Sequence, residues 1–134
     1  MGHIFGSSVL AGAALLGVAT AWVSARWPRR FAEALGLSVA NPGGVNEIRA
    51  QYAGVFLAVA AVCGAALLGL VTRRTGFIVL AMVFGGLIFG RLVSLVLNRG
   101  AEGYGPAIRA LHAIDSLGLA LAVAALTGDD SASI

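Results

Sequence analysis

The feature that most limits this chain is a set of four long stretches in which ionisable residues are nearly absent. Residues 4–23 hold none; 46–71 hold Glu47 and Arg49 in the first turn only; 77–97 hold Arg91 alone; 107–126 hold Arg109, His112 and Asp115 in their first half. A helix needs about 20 apolar residues to cross a hydrocarbon core, and each stretch supplies them. Backbone groups in lipid must be hydrogen-bonded within the segment, so such runs form helices rather than open strands. Their continuity also excludes the alternating segments of a membrane barrel. The expected fold is all-α: an integral membrane bundle of four transmembrane helices, one domain over 1–134.

Composition agrees. Of 134 residues, 59% are apolar and 11% charged, whereas a soluble domain carries about 25% charge. Too few charges are present to clothe a soluble surface, and the net charge of +3 is too small for a disordered chain. A lone cysteine, Cys63, excludes a disulfide framework and a CxxC pair, and its apolar setting makes it inert packing. The first stretch lacks the basic leader of a signal peptide, having only His3 near its start, and is expected to be a true span.

Short connections make successive spans antiparallel neighbours. Residues 72–76 read as a tight basic turn, and 98–106 as a glycine-rich loop closed by Pro106. The roomy connection is 24–45. Within it, 28–36 begins with proline, ends with glycine and sets Phe31 and Leu35 one turn apart, which predicts a short amphipathic interfacial helix. Trp22 and Trp27 then lie at headgroup depth. Residues 41–44 read as a turn, Asn46 as the cap of the second span, and 127–134 as a polar tail.

All nine basic residues are arginine. Arg26, Arg29, Arg30, Arg99 and Arg109 border the first and third loops, whereas Arg73 and Arg74 share the other side with Asp129 and Asp130. The positive-inside rule places loops one and three in the cytoplasm and both termini outside, in a multi-pass cytoplasmic membrane protein. No nucleic-acid motif is present, and the arginines need no such partner.

Ionisable groups inside spans demand a reason, since each costs roughly 2.5–3.5 kcal/mol at the centre of a bilayer. Arg91 stands about 10 Å from the end of its span at 1.5 Å per residue, and Asp115 stands at nearly the same depth on the antiparallel neighbour. They are expected to pair. Ser94 and Asn98 continue the Arg91 stripe; His112 and Asp115 are i, i+3, with Ser116 one turn beyond His112. On the second span Glu47 and Gln51 share one face, and Arg49 and Tyr52 another. All lie in the leaflet beside loops one and three, which predicts a polar pocket open toward one side.

A plainer reading stands beside this one. Interhelical polar pairs can simply fix register, Glu47 and Arg49 can snorkel, Tyr52 can anchor at the interface, and His112 can be a satisfied core histidine. Gly86 and Gly90 form a small-xxx-small motif on a face away from Arg91, suited to packing within the bundle. His3 and His112 fall in opposite leaflets and cannot share a haem; no metal, phosphate-loop or dinucleotide signature occurs, so no cofactor is expected.

The segments EIRAQYAG (47–54), GRLVS (90–94) and NRG (98–100) together resemble a bacterial family of small four-helix membrane proteins classed as a domain of unknown function, and more loosely DoxX-like proteins. The family pattern is E-[I/L]-R-A-x-Y-G-G on helix two and G-R-x-x-S on helix three, followed by an acid. Ala53 departs from the first glycine of the pair, and Asn98-Arg99 stands where the acid is expected. The resemblance implies that Glu47, Arg49, Tyr52, Arg91 and Ser94 matter, and implies no activity.

Three functions are consistent with these residues. The first is a membrane binding module holding a small amphipathic or anionic molecule, with Arg91 as anchor, Asp115 and Glu47 orienting it, and Tyr52, Ser94, Asn98 and His112 completing the site. Transport is one use of such a module, for which four spans would need a homo-oligomer to enclose a path. The second is an accessory subunit of a larger membrane complex, with the ion pair as a staple. The third is an enzyme on a lipophilic substrate, using His112 and Asp115 as an acid–base pair beside Arg91.

Overall fold

A computed structural model describes residues 2–98 and 104–130, with side chains described for 3–98 and 104–128. The expectations for Arg99, for the acid-to-arginine departure beside it, and for the side chains of Asp129 and Asp130 lie outside these residues, as does the end of the tail.

Five helices make up the described chain: α1 (Gly2–Arg26), α2 (Pro28–Ala34), α3 (Pro42–Leu67), α4 (Arg73–Leu97) and α5 (Pro106–Asp130). All but the short α2 are long and apolar enough to cross a membrane. Proline opens α2 and α3, where its missing N–H has no partner to lose. Both end on a glycine with positive φ, Gly36 (76°) and Gly69 (74°), in Schellman turns closed by Leu37 N–H to Ala32 O and Leu70 N–H to Ala65 O.

Several boundaries differ from the expected ones because side-chain caps outrank apolar content. The cap of α3 is Asn41, whose Oδ1 accepts from Gly44 N–H at 3.0 Å, so 42–44 are helical and Asn46 is interior. The Gly69 turn ends α3 at Leu67 rather than 71. Thr72 caps α4 by accepting from Thr75 N–H at 3.2 Å, so 73–76 are the first helical turn and not a connection. At the other end α5 runs on to Asp130, through the start of the expected tail.

The long helices form a ring in which α1 lies against α3 and α5, and α4 against the same two. The end near the termini is closely packed. Leu10, Cys63, Phe77, Leu80, Phe84 and Ala122 belong to one buried cluster. Rings sit directly on glycine: a Cβ at Gly118 would lie 2.7 Å from the Phe84 ring, and one at Gly6 2.9 Å from Phe77. Lipid is as apolar as leucine, so such helices associate by close approach rather than by expulsion of water. Arg73 Nη1 fastens this end by donating to His3 O at 3.0 Å. Outward-facing Ile4, Met82, Phe89 and Val96 are about 70% exposed or more (73, 71, 69 and 76%), an apolar sheath suited to lipid.

The other end is built differently. Residues Arg49–Gly54 of α3 form a π-helical turn. This segment rests on α1, while α4 and α5 pair with each other. A gap remains between the two pairs, and α2 roofs it.

Candidate functional site

The centre of the loop end is an ion pair. Arg91, midway along the second half of α4, meets Asp115 of α5: Nε donates to Oδ2 at 2.7 Å and Nη2 reaches the same oxygen at 2.7 Å. The Asp115 side chain is 6% exposed and that of Arg91 21%. Matched depth on antiparallel neighbours therefore produced the expected contact. Both guanidinium bonds converge on one carboxylate oxygen. Among the described residues Arg91 Nη1 and Asp115 Oδ1 make no hydrogen bond.

Arg91 separates two compartments. Toward the loops lies an open cavity of about 790 Å³ whose polar walls include Glu33, Arg91, Ser94, Tyr104 and His112. Toward the bilayer centre lies a chamber of about 330 Å³ walled by Leu16, Phe56, Phe84, Leu111 and Ile114, with Arg91 and Asp115 at its edge. Leu35, Tyr52, Leu87, Arg91 and Ile108 border both. Phe31 of α2 reaches the apolar chamber and meets Tyr52 edge-on, ring centroids 4.9 Å apart. The amphipathic face of α2 is thus part of the wall.

Around the pair runs a small hydroxyl network. Ser94 and Tyr104 share a hydrogen bond at 2.9 Å, and Asn98 Nδ2 donates to Ser94 Oγ at 3.1 Å. Tyr104 stacks on His112 with centroids 5.8 Å apart. His112 Nδ1 lies 2.8 Å from Ile108 O. A carbonyl only accepts, so Nδ1 carries the hydrogen. His112 Nε2 is buried and has no partner among the described residues.

Six of the eight residues singled out from sequence gather here. Tyr52, Arg91, Ser94 and His112 line the open cavity; Asp115 borders the chamber; Asn98 is exposed and touches the site through Ser94. Glu47 and Arg49 do not. Glu47 is exposed on α3, away from both compartments. Arg49 Nε donates to Ala25 O at 3.2 Å, satisfying a carbonyl in the last turn of α1. The expectation that Arg49 and Tyr52 share a face is corrected by the π turn. Its i→i+5 bonds widen the spiral, so residues three apart rotate away from each other: Arg49 toward α1 and Tyr52 into the cavity.

Two further expectations change. Gly86 and Gly90 line the open cavity, and a Cβ at either would meet nothing within 4 Å. They widen the cavity instead of seating another helix of the bundle. His112 and Asp115 are not bonded to each other, since each is engaged elsewhere, so the acid–base pair is not assembled.

Sequence reasoning missed Tyr104 and Glu33. Tyr104 sits in a glycine-rich connection read only as a loop, and a tyrosine there was its one signal. Glu33 lies on α2 between Phe31 and Leu35, among residues read for their apolar face. No group of three or more metal-binding side chains occurs among the described residues.

Residues 7–112 match the family model of a domain of unknown function, DUF4345. No curated protein matches the chain. No solved structure matches it either.

Proposed function

The chain belongs to the DUF4345 family, and from that premise we propose that it is a multi-pass membrane protein whose loop-end cavity binds a small amphipathic molecule. The observation that carries this reading is the adjacency of a polar-walled cavity and an apolar chamber across the shared wall that holds Arg91. A head group lies among Arg91, Ser94, Tyr104 and His112, and an apolar tail runs toward Phe84. Ligand sites have this character, mostly apolar with a few convergent polar groups. Arg91, Ser94 and Tyr52 also belong to the two motifs on which the resemblance to small bacterial four-helix proteins rests. Loops one and three face the cytoplasm in this reading, with α2 at the interface of the cytoplasmic membrane.

A second reading has its own support. The direct Arg91–Asp115 contact is satisfied within the chain, as a staple would be, and the protein would then serve as an accessory subunit.

Native mass spectrometry of gently extracted protein separates the two. The binding module predicts a small-molecule adduct on wild type that is lost from Gly86→Leu, a variant that fills the cavity wall while leaving the ion pair intact. A bare chain, or a complex with a partner protein and no small adduct, contradicts the cavity reading.

A further inference from the structure

We propose that the head group of the bound molecule is neutral and carries a hydroxyl, and is neither an anion nor a cation; this rests on the cavity reading above. Arg91 looks at first like an anion anchor. Its charge, however, is already met by Asp115 through two contacts of 2.7 Å on one oxygen. Among the described wall residues the remaining formal charge is Glu33, at the open cavity. An incoming anion would have to displace a buried carboxylate or bind beside a neutralised pair while facing a second carboxylate. Displacing the buried Asp115 is costly because the dielectric around it is low, and the exposed Glu33 adds a weaker, solvent-screened repulsion at the cavity mouth.

The hydrogen-bonding inventory points to the same head. Arg91 Nη1 is a donor without a bond to any described residue. Nδ1 of His112 spends its hydrogen on Ile108 O, so in the neutral ring Nε2 is an acceptor, and among the described residues it is buried and unpartnered. A buried polar atom left unmatched is destabilising, so a ligand that matches it gains affinity. A hydroxyl can both donate, as Nε2 requires, and accept, as Nη1 requires. A carboxylate accepts only and leaves Nε2 unmatched; an ammonium donates only and leaves Nη1 unmatched. Both residues line the same 790 Å³ cavity, and the apolar chamber next to it takes the chain of such a molecule.

The test uses three probes of one chain length, 1-decanol, decanoate and decylammonium, added to the full protein in nanodiscs of neutral lipid. Saturable adducts are counted by native mass spectrometry, and the imidazole nitrogens are followed by NMR of protein labelled with [15N]histidine. The expected result is that decanol saturates at a concentration at least about tenfold below the other two, a difference of one hydrogen bond to a buried group. Decanol also shifts the Nε2 resonance of His112 and leaves His3 unmoved. His112→Phe lowers decanol occupancy while decanoate is unaffected. Tighter binding of decanoate or decylammonium overturns the neutral head but keeps the cavity reading. Decanol binding with no change at His112 also overturns it, and does so whether or not the phenylalanine variant folds. No saturable adduct with any probe removes both the inference and the reading beneath it.

Discussion

The two ends of this bundle are made from the same four helices and solve opposite problems. At the terminal end, Leu10, Phe77, Leu80 and Phe84 fill the space between helices, and glycines let the rings sit against backbone. At the loop end the same α4 and α5 carry Arg91, Ser94, His112 and Asp115, and the space is left open. Glycine shows the difference best. A Cβ at Gly118 would lie 2.7 Å from the Phe84 ring, whereas one at Gly86, on the facing helix beside the cavity, would meet nothing within 4 Å. One end holds the bundle together so that the other can remain unfilled, an arrangement common at binding sites, where local packing is given up for function.

This contrast can be broken by substitution, and the largest effect is expected at the ion pair. Asp115→Ala leaves the Arg91 charge without its partner and destabilises the protein by about 3–5 kcal/mol. The double variant Arg91→Leu/Asp115→Leu recovers most of that loss, because no charge stays buried. Unfolding in mixed micelles measures both, and equal losses in the single and double variants would contradict the account.

Next in size is overpacking of the closed end. Gly118→Val drives a branched side chain into the Phe84 ring and costs about 1–3 kcal/mol, read as a lowered unfolding midpoint. At the open end the sign reverses. Gly86→Ala meets no atom within 4 Å, so it stabilises the helix by up to about 1 kcal/mol through propensity, while lowering ligand occupancy. Two glycines on facing helices thus respond oppositely, and a shared response would erase the distinction between the ends.

The smallest effect falls on the hydroxyl network. Tyr104→Phe removes the hydrogen bond to Ser94 and lowers stability by about 1 kcal/mol or less. Its stacking on His112 is retained, so helix content by circular dichroism stays at the wild-type level.

How much of this was legible in the sequence follows from the range of each interaction. The spans were legible because exclusion of charge over about 20 residues is a cumulative signal. The Arg91–Asp115 pair was legible because helix rise converts sequence position to depth. The start of α3 was not, since Asn41 and Asn46 are equally good caps and Pro42 at the first helical position decided between them. Nor was the separation of Arg49 from Tyr52, because face assignment assumes 3.6 residues per turn and the π turn breaks that period. Tyr104 enters through a connection, and no periodicity places a loop side chain. The open role of Gly86 and Gly90 was hidden for a related reason: a small-xxx-small pattern reads the same whether a helix or a ligand approaches it.

The most direct measurement of the central claim, an open polar-walled cavity at the loop end beside a closed core around Ala122, is thiol accessibility in a Cys63→Ser background. Ser94→Cys places a thiol on the cavity wall, and Ala122→Cys places one in the closed end, where Ala122 is 0% exposed. A membrane-impermeant maleimide is applied to oriented vesicles, from each side in turn. The account predicts labelling of Ser94→Cys from the side bearing loops one and three, slowed by a bound amphiphile, and no labelling of Ala122→Cys from either side. Equal resistance of both thiols would mean that the loop end is as closed as the other, and would contradict it.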